Sequence, residues 1–365
     1  MKPIGSGETM KPAGGIAKTG VARFGVVAWR SAAQKRRYNR GLERGEKLLD
    51  AVITGCPGTL GSACGATLAA GGKRVRPLLV LLSARRDRPF TPQVHHAAAG
   101  VELLHMATLV HDDVLDGAVL RRGRPTIAHQ SGVPIAVSAG NYMFAQAFAL
   151  LVATNDGRAV DLLSRVAEGL SQGEVLQMEE AYRVDLALAD YVRRCELKTA
   201  DLFAAACSLG AIVSGAAEDD IAGLAAYGRS LGLAFQIFDD ILDLAGDEAQ
   251  IGKRLGTDLR DGTVTLPVIM ALQARPDLGA RLQRPLGPTA AADAGADVDP
   301  IAATDAESEV AALIAEIVAS GAIEQARAVA LAQIAEAREH LALCSDLVER
   351  ELLAEVAGWV VERFS

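Results

Sequence analysis

Apolar residues recur at three- and four-residue spacing over 33–53, 77–86, 91–116, 133–155, 158–180, 186–212 and 218–245, with short Gly, Pro or Asp clusters between the runs. Each run reads as a helix. A further helix is predicted to begin near Thr265-Leu266-Pro267, and two or three more over about 309–363. No stretch alternates long enough to predict a strand. No segment reaches the roughly eighteen uninterrupted apolar residues that predict a membrane span. The pattern fails in three places. Residues 1–32 are Gly-rich and aperiodic and predict a disordered tail. Residues 246–265 read as a polar loop of functional size, and 285–308 (PLGPTAAADAGADVDPIAATDAES), with almost nothing to bury, as a flexible insertion.

Composition narrows the class. Of the 365 residues half are hydrophobic but only 4% aromatic, and Ala and Leu supply most of the apolar content. That suits helices better than sheets, so an all-α protein is predicted, with one helical domain over 33–365. The net charge of −8 argues against a surface that coats nucleic acid. Cys56, Cys64, Cys195, Cys207 and Cys344 are scattered and lack CxxC spacing. They predict neither a disulfide framework nor a zinc site, and a reducing cytoplasm. The first thirty residues hold only the brief apolar run FGVVAW and predict no signal peptide. Residues 2–40 carry nine Lys or Arg against the single acid Glu8. A solvated basic tail is the plain reading, and weak peripheral attraction to an anionic membrane the sharper one.

Against this background "LVHDDVLDG" (109–117) stands out. Asp112 and Asp116 are four residues apart on one helix face, and His105 lies two turns before Asp112 on that face. A second cluster, "FQIFDDILD" (235–243), aligns Gln236, Asp239, Asp240 and Asp243 in the same way. Solvated helix ends explain them poorly, because both clusters fall at helix C-termini, where the macrodipole disfavours an anion by about 0.3–1 kcal/mol. Hard oxygen ligands with few His and no Cys suit Mg²⁺, which binds through one or two carboxylates plus substrate phosphates. Cations for such phosphates are at hand: Lys73, Arg74 and Arg76 in "GGKRVRP", with Pro77 placed for the first helical position, Arg121, Arg122 and Arg124 in "LRRGRPT", Lys198 inside an apolar helix, and Lys253 in the polar loop.

GGKRVRP, HDDVLD followed by RR, KTA, FQIFDDILD and DLRDGTVTLP, in this order and spacing, resemble the trans-type polyprenyl diphosphate synthases. These are head-to-tail prenyltransferases of the isoprenoid synthase fold, and the resemblance covers roughly residues 40–275 with a matching helical C-terminal part. It implies a single helical bundle around a central substrate cavity and a homodimer. It implies about three Mg²⁺ ions per site, with Asp112 and Asp116 (Asp113 nearby) as ligands of two and Asp239, supported by Asp240 and Asp243, of the third. Arg121, Lys198, Lys253, Gln236 and Thr199 are similar to the allylic-diphosphate site, and Lys73, Arg76, His105 and Arg122 to the isopentenyl-diphosphate site. Two positions depart from the family pattern: Thr263 stands where a Lys is common and Asn141 where an Asp is common.

The resemblance also bears on product length. The growing tail is expected to run back along the helix from Asp112, past Thr108 and Ala107, where short-chain members tend to carry an aromatic block. Here both are small, Gly100 and Ala99 lie two turns deeper, and each turn adds about 5.4 Å. A product of about seven to ten isoprene units (C35–C50) is implied at that depth, of the kind used for quinone side chains; Ala107 simply packing against a neighbour is the competing structural reading. Three other functions are weighed beside a shorter-chain (C15–C25) synthase. A terpene cyclase would replace the second Asp motif, and a non-catalytic length-setting subunit would lose one. A di-iron bundle would need a second pair like Glu102 and His105.

Overall fold

The computed structural model describes residues 28–246, 254–284 and 300–363. Its elements are α1 (Ala32–Thr54), α2 (Gly58–Ala69), α3 (Val75–Ser83), α4 (Pro92–Leu115), β1 (Leu120–Arg121), β2 (Arg124–Pro125), α5 (Ile127–Ser131), α6 (Val133–Val152) and α7 (Gly157–Glu179). Next, α8 (Leu188–Cys195) runs through a π turn (Glu196–Ala200) into α9 (Asp201–Ser214), followed by α10 (Glu218–Ala245), α11 (Thr257–Arg260) and α12 (Leu266–Ala274). The chain closes with α13 (Gly279–Leu282), α14 (Pro300–Ala319), α15 (Ala322–Leu343) and α16 (Arg350–Arg363). The all-α expectation holds.

The helices start where local chemistry supplies caps. Ser31 accepts a hydrogen bond from the Gln34 amide at 3.1 Å, Asp156 from the Arg158 amide at 3.0 Å, and Pro92 opens α4. At the centre α9 packs on α3, α4 and α10, and α3 on α4, and Leu78 to Leu82 of α3 are wholly buried. The contact of α10 with α9 and the π turn is set by glycines. A Cβ at Gly228 would lie 2.7 Å from the Ala204 Cα, and one at Gly232 2.6 Å from the Ala200 Cα. This backbone-to-backbone approach brings the end of α10 beside Lys198. Gly232→Val is therefore expected to cost at least about 1–3 kcal/mol through overpacking, measurable as a lowered melting temperature.

The structure corrects several expectations. Pro77 is the third residue of α3, not the first, because Val75 already has helical backbone after Arg74 at φ 50°; a proline fits anywhere in a first turn, where amides lack intrahelical partners. Residues 300–308 belong to α14 and not to a flexible insertion, since Pro300 and the alanines that follow are strong helix initiators and formers. A short hairpin pairs Leu120 with Pro125, where no strand was expected; Arg122 (φ 53°) and Gly123 (φ 72°) form its turn. Residues 1–27 and 285–299 lie outside the described residues.

Three described helices, Val133–Val152, Leu188–Ser214 and Glu218–Ala245, are by length and composition apolar enough to cross a membrane, although none is an uninterrupted apolar run. The apolar window of Leu188–Ser214 is 78% buried inside the bundle, whereas that of Val133–Val152 is only 33% buried.

Candidate active site

Both aspartate clusters face one cavity of about 330 Å³. From α4 it receives His105, Thr108 and Asp112; from α3, Arg76; from the π turn, Lys198 and Thr199; and from α10, Gln236, Asp239 and Asp240. The π turn is a local widening of the helix of the sort that recurs at functional sites. It places Lys198 against Gly173 of α7, where a Cβ would come within 2.8 Å of the Lys198 Cγ. Lys198 Nζ pairs with Glu174 at 2.5 Å and donates to Gln177 at 2.7 Å. Thr199 donates to Gln236 Oε1 at 2.7 Å, Gln236 Nε2 donates to Asp240 at 2.8 Å, and the Tyr191 hydroxyl donates to the other Asp240 oxygen at 2.7 Å.

The electrostatics of this cavity favour a cation between the walls and anions beside it. Burial pushes the Asp112 carboxyl up to about 7, with Lys198 and Arg121 opposing and Glu174 and Asp116 adding to the rise. Burial likewise raises Asp240 to about 7 against the bonds from Tyr191 and Gln236, and Asp239 adds to the rise. On the other side, burial lowers Arg76 to about 10, offset in part by Glu102, which leaves it charged at neutral pH. Its Nε is buried without a hydrogen-bond partner. His105 is held well below the usual imidazole range by burial and by Arg76, Arg122, Arg121 and Arg74, so it is neutral. Tyr191→Phe strips one donor from buried Asp240 and is expected to cost about 1–3 kcal/mol, read as a fall in thermal stability.

Not every predicted residue lines the cavity. Asp113 is buried and pairs with Arg121 at 2.6 Å, so these two hold each other. Asp116 caps α4 at its exposed end. Asp243 is wholly buried and accepts from the Asp258 amide at 3.0 Å, anchoring the segment that carries α11. It is not among the residues that line the cavity. Lys73 sits 5.0 Å from the Trp359 ring of α16, and exposed Arg122 donates to the Gly71 carbonyl. Neither lines the cavity; Lys73 belongs to the Gly71–Arg76 stretch and Arg122 is tied to it. Lys253 lies outside the described residues, as do residues 247–253 of the 246–265 stretch read as a polar loop of functional size. Thr263 does line the cavity, so that departure from the family pattern falls inside the site.

A second cavity of about 260 Å³ is lined by Thr108, His111, Leu115, Phe144 and Val175 among others. It shares Thr108, Asp112, Leu170 and Lys198 with the first. Ala107 is wholly buried and lines neither. The reason is geometric, since one residue along a helix turns the side chain by about 100°. Of the two positions expected to guard the tail, Thr108 is the one at the cavities.

Several site residues were not read from the sequence. Glu174 and Gln177 hold Lys198, Tyr191 holds Asp240, and Arg194 is buried in a pair with Glu180 at 2.6 Å and bonds the Val264 carbonyl at 2.6 Å. Tyr191, Arg194 and Lys198 recur at three- and four-residue spacing, a signal of one face that was available. Nothing in the sequence singled out Glu174 or Gln177. The di-iron reading is contradicted by Glu102, whose carboxylate is taken by Arg74 at 2.8 Å.

The polyprenyl synthetase family signature matches residues 58–299. Heptaprenyl diphosphate synthase component 2 of Geobacillus stearothermophilus is 44% identical over 62% of this chain and 71% of its own. A short chain isoprenyl diphosphate synthase of Methanothermobacter thermautotrophicus is 34% identical over 90% of this chain and 97% of its own. The crystal structure of heptaprenyl diphosphate synthase from Staphylococcus aureus superposes with a TM-score of 0.81 at 30% identity, covering 90% of this chain and 99% of that one. The chain belongs to the polyprenyl synthetase family and is a prenyl diphosphate synthase.

Proposed function

We propose that this enzyme condenses isopentenyl diphosphate head-to-tail with an allylic diphosphate and carries the product to a medium or long all-trans polyprenyl diphosphate. The observation that carries the reading is the single cavity with carboxylates from α4 and α10 on facing walls and Lys198, Arg76 and His105 between them. Among the described residues no three His, Cys, Asp or Glu side chains gather around one point. Mg²⁺ takes one or two carboxylates and leaves its other positions to substrate oxygens, which suits the carboxylates of Asp112 and Asp239 at this cavity. Asp112 and Asp116 on one side and Asp239 on the other would hold it, and when bound it would supply Lewis-acid neutralisation of the leaving diphosphate.

The protein's own groups do the rest. Lys198, and Arg121 once drawn from Asp113, bind the allylic diphosphate more strongly as charge builds on it, which lowers the barrier to C–O cleavage. Arg76 and neutral His105, with Lys73 and Arg122 at the entrance, hold isopentenyl diphosphate so that its double bond meets the allylic cation at high effective concentration. Leu109, Leu170, Leu202 and Phe235 line the same space and keep water from the cation. The released diphosphate accepts the final proton. Chelation of divalent metal by EDTA is expected to abolish turnover, with recovery on adding Mg²⁺; retention of full activity in EDTA would refute the metal assignment.

Small Thr108 at the junction of two cavities supports a product of about C35–C50, in line with about 5.4 Å of added depth per helical turn. One relative is named for heptaprenyl and another for short-chain products, so a shorter-chain synthase is the alternative. The name "component 2" favours a second reading, a subunit that works with a partner chain. A homodimer is the simpler proposal, supported by α6, whose Val133, Val137 and Val152 are exposed on an uncharged helix. A quinone side chain as destination and a reducing cytoplasm complete the reading; the five cysteines are free and buried.

A further inference from the structure

A second charged pocket lies at the C-terminal end of α3, remote from the Gly71–Arg76 stretch. There α1 and the 84–91 connection enclose about 440 Å³, lined by Arg37, Arg40, Arg44, Arg86, Arg88 and His95. It shares no lining residue with the catalytic cavity. Five guanidinium groups around one pocket are unexpected in a chain of net charge −8, because like charges held together repel. Asp87 is the sole carboxylate in its lining among the described residues, and it is engaged by Arg85 at 2.7 Å.

The pocket is built and not merely decorated. Arg37 donates to the carbonyls of Arg86 at 2.5 Å, Arg85 at 3.2 Å and Arg88 at 2.8 Å, and its guanidinium lies 4.5 Å from the Phe90 ring centroid. These contacts fold the connection around the pocket, yet none of them neutralises the charge. His95 is 4% exposed. Its Nδ1 meets the Thr91 carbonyl at 2.7 Å, while its Nε2, like the Arg37 Nε, is buried with no hydrogen-bond partner. Buried polar atoms are ordinarily paired, so the unpaired Arg37 Nε, a donor at a pocket ringed by guanidinium groups, points to a ligand that supplies oxygen atoms; His95, whose Nδ1 donates to Thr91, presents its Nε2 as an acceptor and packs the wall. Planar guanidinium forks match phosphate oxygens in two-point contacts.

We infer that this pocket binds a phosphate-class polyanion, a diphosphate or a phosphorylated lipid headgroup, independently of the catalytic cavity. The test is calorimetric titration of the full chain with inorganic diphosphate in EDTA, repeated with Arg40→Ala/Arg88→Ala and with Arg44→Glu. All three positions are exposed, so their replacement leaves the core intact. Parallel sedimentation uses vesicles of phosphatidylglycerol and of phosphatidylcholine. The expected result is diphosphate binding by the parent chain that weakens at least tenfold in both variants, persists in Lys198→Ala, and leaves elongation by the two arginine variants unchanged. Vesicle binding restricted to phosphatidylglycerol and lost in the same variants, without diphosphate binding, would identify the headgroup as the source. If neither probe separates the parent from the two variants, the inference is wrong.

Discussion

Asp239→Ala is expected to lower kcat/KM for elongation by about a thousandfold or more while leaving the fold intact. The two neighbouring acids of the cluster have structural work: Asp240 is fixed by Tyr191 and Gln236, and Asp243 by the Asp258 amide. Asp239 is half-buried and lines the cavity opposite Asp112, so its removal takes a carboxylate from the reacting space without breaking those bonds. Loss of metal-assisted charge stabilisation is worth several kcal/mol, and each 1.36 kcal/mol is about tenfold in rate. Asp112→Ala should behave alike. Asp243→Ala should instead show a lower melting temperature, because it unpairs a buried amide at a cost of about 1–3 kcal/mol. Steady-state rates with labelled isopentenyl diphosphate, beside thermal melts, separate these outcomes. A near-normal rate for Asp239→Ala would remove α10 from the mechanism.

Thr108→Phe is expected to shorten the product, and Ala107→Phe to destabilise the protein without a matching change in product length. Thr108 lies where the two cavities meet, with Leu170 across from it and Phe144 and His111 in the second. A phenyl ring there fills the passage that a growing tail would take. A block at that depth should remove at least about one isoprene unit for each 5.4 Å turn it closes. Ala107 is wholly buried, so a ring at that position overpacks the core at about 1–3 kcal/mol. Phe144→Ala, which opens the far cavity, should lengthen the product. Chromatography of the dephosphorylated prenols reads all three. Shortening by Ala107→Phe with unchanged length in Thr108→Phe would restore the tail to the other face of α4.

The periodicity of apolar residues was enough for the long helices, because each buries one face in a single core. It did not extend to α2, which contains Gly58, Gly61 and Gly65. Gly61 is required there by tertiary structure, since a Cβ would fall 2.1 Å from the Cys56 carbonyl oxygen. The aspartates and Lys198 were legible because charges in apolar helices are costly unless used, His105 and Gln236 because they share a helix face with the aspartates, and Arg76 from the basic stretch before a helix; Thr199 came only with the family resemblance. Their division of labour was not. Which carboxylate of a cluster faces the cavity depends on helix rotation and on partners such as Tyr191, Gln236 and Arg121, set by distant parts of the chain. The same holds for Ala107 and Thr108, adjacent in sequence but separated by a third of a helical turn. Glu174 and Gln177 carry no local signature, and only the close approach of α7 at Gly173 explains them.

The central claim is that this one chain carries a complete site for head-to-tail elongation. The most direct test incubates the purified chain with isopentenyl diphosphate, Mg²⁺ and allylic diphosphates of increasing length, with products sized by mass spectrometry. The account predicts successive five-carbon additions that stop at about C35–C50, with the tail in the space beyond Thr108. No elongation with any primer would contradict it.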